Sequence, residues 1–329
     1  MAYSVPEPRI ARSITLNFKG DWGQANLHRI CGWLAQEIND RCGRHSRTAI
    51  WTGRGGADAV LAVGRGEVDV ALAVPACFVP MATDGSGIFQ GESFPHLRAL
   101  GTMPQTDRLI FAVRAELGVS SFAELRAKRP ALTIATSQDD GVNTIGFAAQ
   151  RMMECAGIPR TELARWGGRY LESERPIDST EAVRTGRASA IIHEAIMTPY
   201  WRALADEVEL NFLPVEDEVL AKMKAQYRWP SARVAKGYLR GIEADFETLE
   251  FSDFAVLCRT DLPDDVGYLT AWCMCERREA IERGYRHLAA ERSPLTWPLD
   301  PAKIARTPIA LHAGAARYYR DAGIDAGPV

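Results

Sequence analysis

The chain has little that would tie it to a membrane, a nucleic acid or a metal. No segment of its 329 residues approaches the run of about 18 apolar residues that a membrane-spanning helix needs, so direct membrane insertion is not expected. Neither sign of charge is in excess: 39 Lys and Arg against 42 Asp and Glu leave a formal −3, too little for a nucleic-acid surface or a polybasic anchor. The seven cysteines, at Cys31, Cys42, Cys77, Cys155, Cys258, Cys273 and Cys275, form an odd, dispersed set that reads as reduced thiols and not as a disulfide framework. Cys273 and Cys275 make only a C-x-C without a second pair or nearby histidines, so no metal site is expected. The T-G-R-G-G of residues 52–56 lacks the Lys-Ser/Thr ending of a P-loop, no G-x-G-x-x-G follows the first strand, and neither G-x-S-x-G nor H-E-x-x-H occurs. No cofactor is therefore expected. No export signal is expected in the sequence as given, because Pro6, Glu7 and Pro8 fall where an uninterrupted apolar region would be needed. As written, the chain reads as cytoplasmic, and as periplasmic if its native start was processed.

What is present is a globular composition, 47% hydrophobic and 25% charged, in a chain longer than one hydrophobic core supports; two compact lobes are the expectation. Ile14 to Phe18 alternates like a strand and runs into Lys19, Gly20, Asp21, Trp22 and Gly23. From Gln24 to Arg41 the apolar residues Leu27, Ile30, Cys31, Leu34 and Ile38 recur at helical spacing. The unit repeats: Thr48 to Trp51 is a strand, Thr52 to Gly56 a turn, Ala57 to Val63 a helix, and Val68 to Val74 an apolar strand of the kind buried in parallel sheets. Further strands are expected at 97–100, 109–113, 132–135, 190–192, 208–213 and 251–259. Helices are expected at 121–128, 142–155, 216–227, 264–286, 301–304 and 313–321, with a Pro, Gly and aromatic-rich stretch at 229–247.

Ala182, Val183, Gly186 and Arg187, followed by strand-like Ala190 to Ile192, echo Ala59, Val60, Gly64 and Arg65 followed by Val68 to Leu72. Two lobes of related layout would produce such an echo. The expected fold is an α/β, two-lobed type II periplasmic-binding-protein-like fold with a hinge and an inter-lobe cleft. Residues 1–105 and 252–329 form one lobe and 106–251 the other, with crossings near Thr102–Asp107 and Thr248–Asp253.

Ligands of open α/β sheets sit beyond the carboxyl ends of strands, where loops enter helices with unpaired N–H groups. Three loops fit: Asp21, Trp22, Gly23 and Gln24; Thr52, Gly53, Arg54 and Gly55; and Ser137 to Asn143 with Asp139 and Asp140. The same glycines serve equally as turn residues. Arg54 suits bidentate binding of a carboxylate and is equally at home on an exposed turn. Trp22 offers a flat wall to a ligand or to core packing. Asp139 and Asp140 either cap the helix beginning near Val142 or bind a ligand's amino or hydroxyl group. His193 and Glu194 close a strand, face opposite ways, and are the candidate acid–base groups if the chain is an enzyme.

The order of these motifs resembles the TAXI-type solute-binding subunits of TRAP transporters. The likeness runs through G-D-W-G-Q, T-G-R-G-G, G-R-G-E-V-D-V-A-L, D-G-S-G-I-F at 84–89, L-R-A-L-G at 97–101, S-S-F-A-E-L-R at 120–126, and L-H-A-G-A-A-R-Y-Y-R-D-A-G at 311–323. The resemblance implies capture of a small organic acid or amino acid, a carboxylate-bearing ligand handed to a membrane permease. It also implies that the three loops contribute to its site; Glu194 joins the ligand-binding candidates from its place at a strand end, where at most one of it and His193 should reach a ligand. Trp22, Gly23, Gln24 and Ala25 stand where the family has a Gly-Gly-Thr-Tyr-like run, and Arg54, Asp139 and Asp140 add charge where its loops are neutral. The alternative from the same scaffold is a cytosolic decarboxylase or other lyase for a small or aromatic carboxylic acid.

Overall fold

Local patterning accounts for the first elements along the chain. The computed structural model describes residues 5–22, 25–195 and 198–329. Strand β1 (Thr15–Lys19) leads to helix α1 (Asn26–Asn39), which buries Leu27, Ile30, Cys31, Leu34 and Ile38 along one stripe. Then come β2 (Arg47–Trp51), α2 (Ala57–Gly64), the wholly buried β3 (Val70–Ala73), α3 (Pro80–Asp84) and β4 (Leu97–Met103).

The next stretch opens with β5 (Arg108–Arg114) and α4 (Phe122–Lys128), whose Ser121 side chain accepts from the Glu124 amide while Glu124 accepts from the Ser120 amide. It continues through β6 (Thr133–Ser137), α5 (Thr144–Cys155), α6 (Arg160–Arg165), β7 (Arg169–Ser173), α7 (Pro176–Arg184) and β8 (Ala190–Glu194). It closes with α8 (Thr198–Glu207), β9 (Leu210–Phe212), α9 (Asp217–Tyr227), β10 (Ser231–Val234) and β11 (Phe246–Glu250). The last stretch holds β12 (Phe254–Arg259), α10 (Asp264–Glu276), α11 (Arg278–Glu282), α12 (Pro301–Ile304), β13 (Arg306–Thr307), α13 (Ala313–Asp321) and β14 (Gly327–Pro328).

The chain divides into two compact units, one built from the chain up to Thr106 and from Ser252–Val329, the other from Asp107–Phe251. In the first unit a five-stranded sheet has the order β2-β1-β3-β12-β4; β1 pairs in parallel with β2 and β3, and β12 runs antiparallel between β3 and β4. The second unit holds a seven-stranded sheet in the order β10-β11-β5-β8-β6-β7, with β9 also on β5. Here β6 pairs in parallel with β7 and β8, while β5 is antiparallel to β8 and β11. Both units thus carry the same parallel trio, β2-β1-β3 and β7-β6-β8, with α1 or α5–α6 in the first crossover and α2 or α7 in the second. One face of the second sheet packs Ile110, Ala135 and Ile191 under Ala182, Val183 and Trp201 of α7 and α8.

Residues 229–247, for which the sequence offered no element, hold β10 and the start of β11, paired antiparallel, because alternate residues Ala232 and Val234 are buried. Three sequence expectations change. The helix expected over 264–286 breaks at Arg277 into α10 and α11. The strand expected from Phe251 begins at Phe254, since Asp253 takes a left-handed φ of 70° and its carboxylate accepts from the Gln105 amide. The helix expected from Val142 starts at Thr144 with Asn143 as its cap, while Asp140 serves the turn before it.

Candidate functional site

In the first unit, three strand ends are knotted together by backbone bonds. The Gly20 amide donates to the Trp51 carbonyl (3.1 Å), the Gly53 amide to Asp21 (3.1 Å) and the Val74 amide to Gly55 (2.8 Å). Two glycines make this closeness possible. A Cβ on Gly53 would sit 2.6 Å from Asp58 Oδ2, 2.7 Å from Lys19 Cε and 2.8 Å from the Gly20 carbonyl. One on Gly55, at φ 78°, would sit 2.3 Å from Leu27 Cδ1.

Side chains already take amides in both loops, Asp21 at the start of α1 and Asp58 in the turn before α2. Asp21, 3% exposed, accepts from the Leu27 amide at 2.9 Å and the His28 amide at 3.1 Å, and its burial pushes the carboxyl pKa up. Asp58 accepts from the Arg54 amide at 2.9 Å and the Gly56 amide at 3.1 Å, with Lys19 Nζ 3.4 Å away. Two of the unpaired N–H groups expected at the start of α1 are thus satisfied within the fold, while α2 begins without a side-chain cap. What this edge presents is side chains: exposed Thr52, half-buried Arg54 and Lys19, and half-buried Trp22, whose buried indole N–H has no hydrogen-bond partner among the described residues. Gly23 and Gln24 lie outside the described residues.

In the second unit the loop after β6 behaves alike. Asn143 caps α5 by accepting from the Ile145 and Gly146 amides, and Asp140 accepts from the Val142 and Asn143 amides. Asp139 pairs with Arg151 at 3.1 Å. Ser137 and His193 close β6 and β8 on the same face, with Ser137 Oγ 3.3 Å from His193 Nε2. Both are 1% exposed, and burial drives the imidazole pKa down to about 3, so the ring is neutral at pH 7. Glu194 is 8% exposed, and its backbone carbonyl accepts from Trp201 Nε1 at 2.7 Å.

Sequence reasoning missed the turn after β7. Ser173 pairs in register with Ser137, and its hydroxyl lies 2.9 Å from that of Ser179. Helix α7 follows with Pro176 in its first turn and no side-chain cap, unlike α5. In strand order this turn is the second unit's counterpart of Thr52–Gly56. The echo at Ala182 and Val183 pointed there, one helix downstream. The strand itself, R-Y-L-E-S, is a half-exposed edge without an apolar period, which hid it.

Among the described residues no group of three or more His, Cys, Asp or Glu side chains could hold a metal ion, and no helix is long and apolar enough to cross a membrane.

Two α/β units, each with a β-order of this kind and a cluster of turns at the carboxyl ends of its parallel strands, define a solute-binding-protein fold of the periplasmic-binding-protein-like class. The chain belongs to the NMT1-like family, which it matches over residues 30–323. Among solved structures it is similar to MatC from Rhodopseudomonas palustris with bound malate, at 9% identity and a TM-score of 0.51, over 94% of this chain and 97% of that one. It is similar also to XAC2383 from Xanthomonas citri bound to chloride ion, at 11% identity and a TM-score of 0.50, over 94% and 97%. A TctC solute binding protein from Polaromonas aligns at 12% identity and a TM-score of 0.48, over 94% and 96%. At such identities the likeness is one of fold. No curated protein matches the chain.

Proposed function

We propose that this chain is a solute receptor of the TAXI type, binding a small carboxylate-bearing organic acid or amino acid and passing it to a membrane permease. The observation that carries the reading is the repeated trio β2-β1-β3 and β7-β6-β8, each ending in a cluster of polar turns at its carboxyl edge, where open α/β sheets hold ligands. Arg54 and Lys19 supply the cationic groups of the first unit, and Trp22 supplies an apolar wall. Ser137, Asn143 and the turn after β7 supply the polar groups of the second.

Binding that favours one arrangement of the protein raises its melting temperature in proportion to the logarithm of ligand concentration. A panel of organic acids and amino acids, including malate, screened by thermal shift and followed by calorimetry should return at least one ligand of micromolar or tighter affinity. A panel with no binder, or a ligand consumed in the assay with release of carbon dioxide or water, sinks the receptor reading. A lyase on this scaffold finds less support: of its two candidate acid–base groups, His193 and Glu194, burial drives the His193 pKa down to about 3 and makes it a weak base.

A further inference from the structure

Ser137, Ser173, Ser179 and His193 form a continuous polar row on one face of the second unit, across the carboxyl ends of β7, β6 and β8. Register pairs Ser137 with Ser173, Ser137 Oγ lies 3.3 Å from His193 Nε2, and Ser173 Oγ lies 2.9 Å from Ser179 Oγ. Ser173 is half-buried and forms the row's open end; Ser137, Ser179 and His193 lie behind it, each 1% exposed. The chemistry of the row is neutral. Each hydroxyl has one donor and two acceptor positions, and the imidazole, uncharged at neutral pH, has one of each. Strand alternation sends the neighbouring carboxylates elsewhere: Glu172 and Glu194 point to the opposite face, and Glu172 there meets Gln150 and Arg160.

We propose that the Ser173 end of this row is the part of the site that reads the ligand's substituent, and that it selects a hydroxyl, making the preferred ligands hydroxy acids. The proposal rests on the receptor reading above. Strands β6, β7 and β8 send no carboxylate to this face, so from them an ammonium group would find only neutral oxygens to replace its hydration. A bare methylene would cut half-buried Ser173 off from water and return no hydrogen bond. Ser173 Oγ, already bonded to Ser179 and within 3.4 Å of the Arg175 carbonyl, keeps an acceptor position to which a ligand hydroxyl can donate.

Two matched trios test it with the full chain by calorimetry: malate, aspartate and succinate, and lactate, alanine and propionate. Within the trio that binds, the hydroxy acid should bind at least about 10-fold tighter than the other two. Ser173→Ala and Ser137→Ala should bring it to the affinity of the unsubstituted acid while leaving that acid within about twofold, and Ser173→Thr, which keeps the hydroxyl, should retain the preference. Melting curves confirm that each variant is folded. An amino or unsubstituted acid binding as tightly as its hydroxy partner overturns the inference, as does an equal loss for all three ligands in the serine variants. Failure of all six while another acid in the wider panel binds also overturns this inference alone, whereas the absence of any ligand overturns the receptor reading beneath it.

Discussion

Lowering the pH from 7 to 5 should destabilise the second unit through His193. Its imidazole is buried against Ser137, and desolvation takes its pKa from an ordinary 6.5 down to about 3. In the unfolded chain the ring protonates as pH falls through about 6.5, while in the folded unit it stays neutral until about pH 3. The unfolded state therefore binds more protons in that window. The stability that the neutral ring contributes is complete above pH 6.5 and is lost progressively as pH falls toward 3. Because pH 5 lies above the folded value, the loss there depends on the unfolded value alone and comes to about 2 kcal/mol. For a unit of this size that is a fall in Tm of roughly 4–8 °C. Urea unfolding at pH 7 and pH 5, on the wild type and on His193→Gln, checks it. The variant loses packing at both pH values, but the difference between the two pH values should shrink by about 2 kcal/mol, because other groups, including His312 with its lowered pKa, titrate alike in both proteins. An unchanged difference refutes the account of a desolvated imidazole.

Asp21→Ala orphans the buried Leu27 and His28 amides and should cost about 1–3 kcal/mol, with Asp21→Asn intermediate because its amide keeps one accepting oxygen; equilibrium unfolding of both variants measures it. Asp58→Ala frees the Arg54 and Gly56 amides and removes the partner of Lys19, so it should cost about 1–2 kcal/mol and weaken ligand binding more than a distant surface change of equal stability cost, read by calorimetry. Gly146→Ala would place a methyl 2.1 Å from the Gln138 carbonyl, backbone against backbone, and should lower the melting temperature by more than Gly186→Ala. The latter has open space around its Cβ and carries only the strain of its positive φ of 77°.

Much of the first unit was legible because its signals are local. The alternation in Ile14 to Phe18, the stripe of Leu27, Ile30, Leu34 and Ile38, and the turn at Thr52–Gly56 lie within a few residues of the structure they specify. The turn after β7 was not legible, since an edge strand carrying Arg169, Glu172 and Ser173 has no apolar face to announce it. Nor was the fate of the helix-start amides. Glycine and acidic residues in a loop pattern suit both an open anion site and a self-capped turn, and only the distances to Asp21, Asp58 and Asn143 separate the two.

Taken alone, the amino-acid order determined which segments form strands and helices, because side-chain periodicity and capping act over one or two turns of chain. Tertiary structure decided which strand ends become neighbours, and with that the polar row of Ser137, Ser173 and His193, drawn from positions up to 56 residues apart. The physical reason lies in the β-ladder. Its hydrogen bonds join whichever strands the crossovers bring side by side, and the charge on an imidazole is set by the water that this pairing removes.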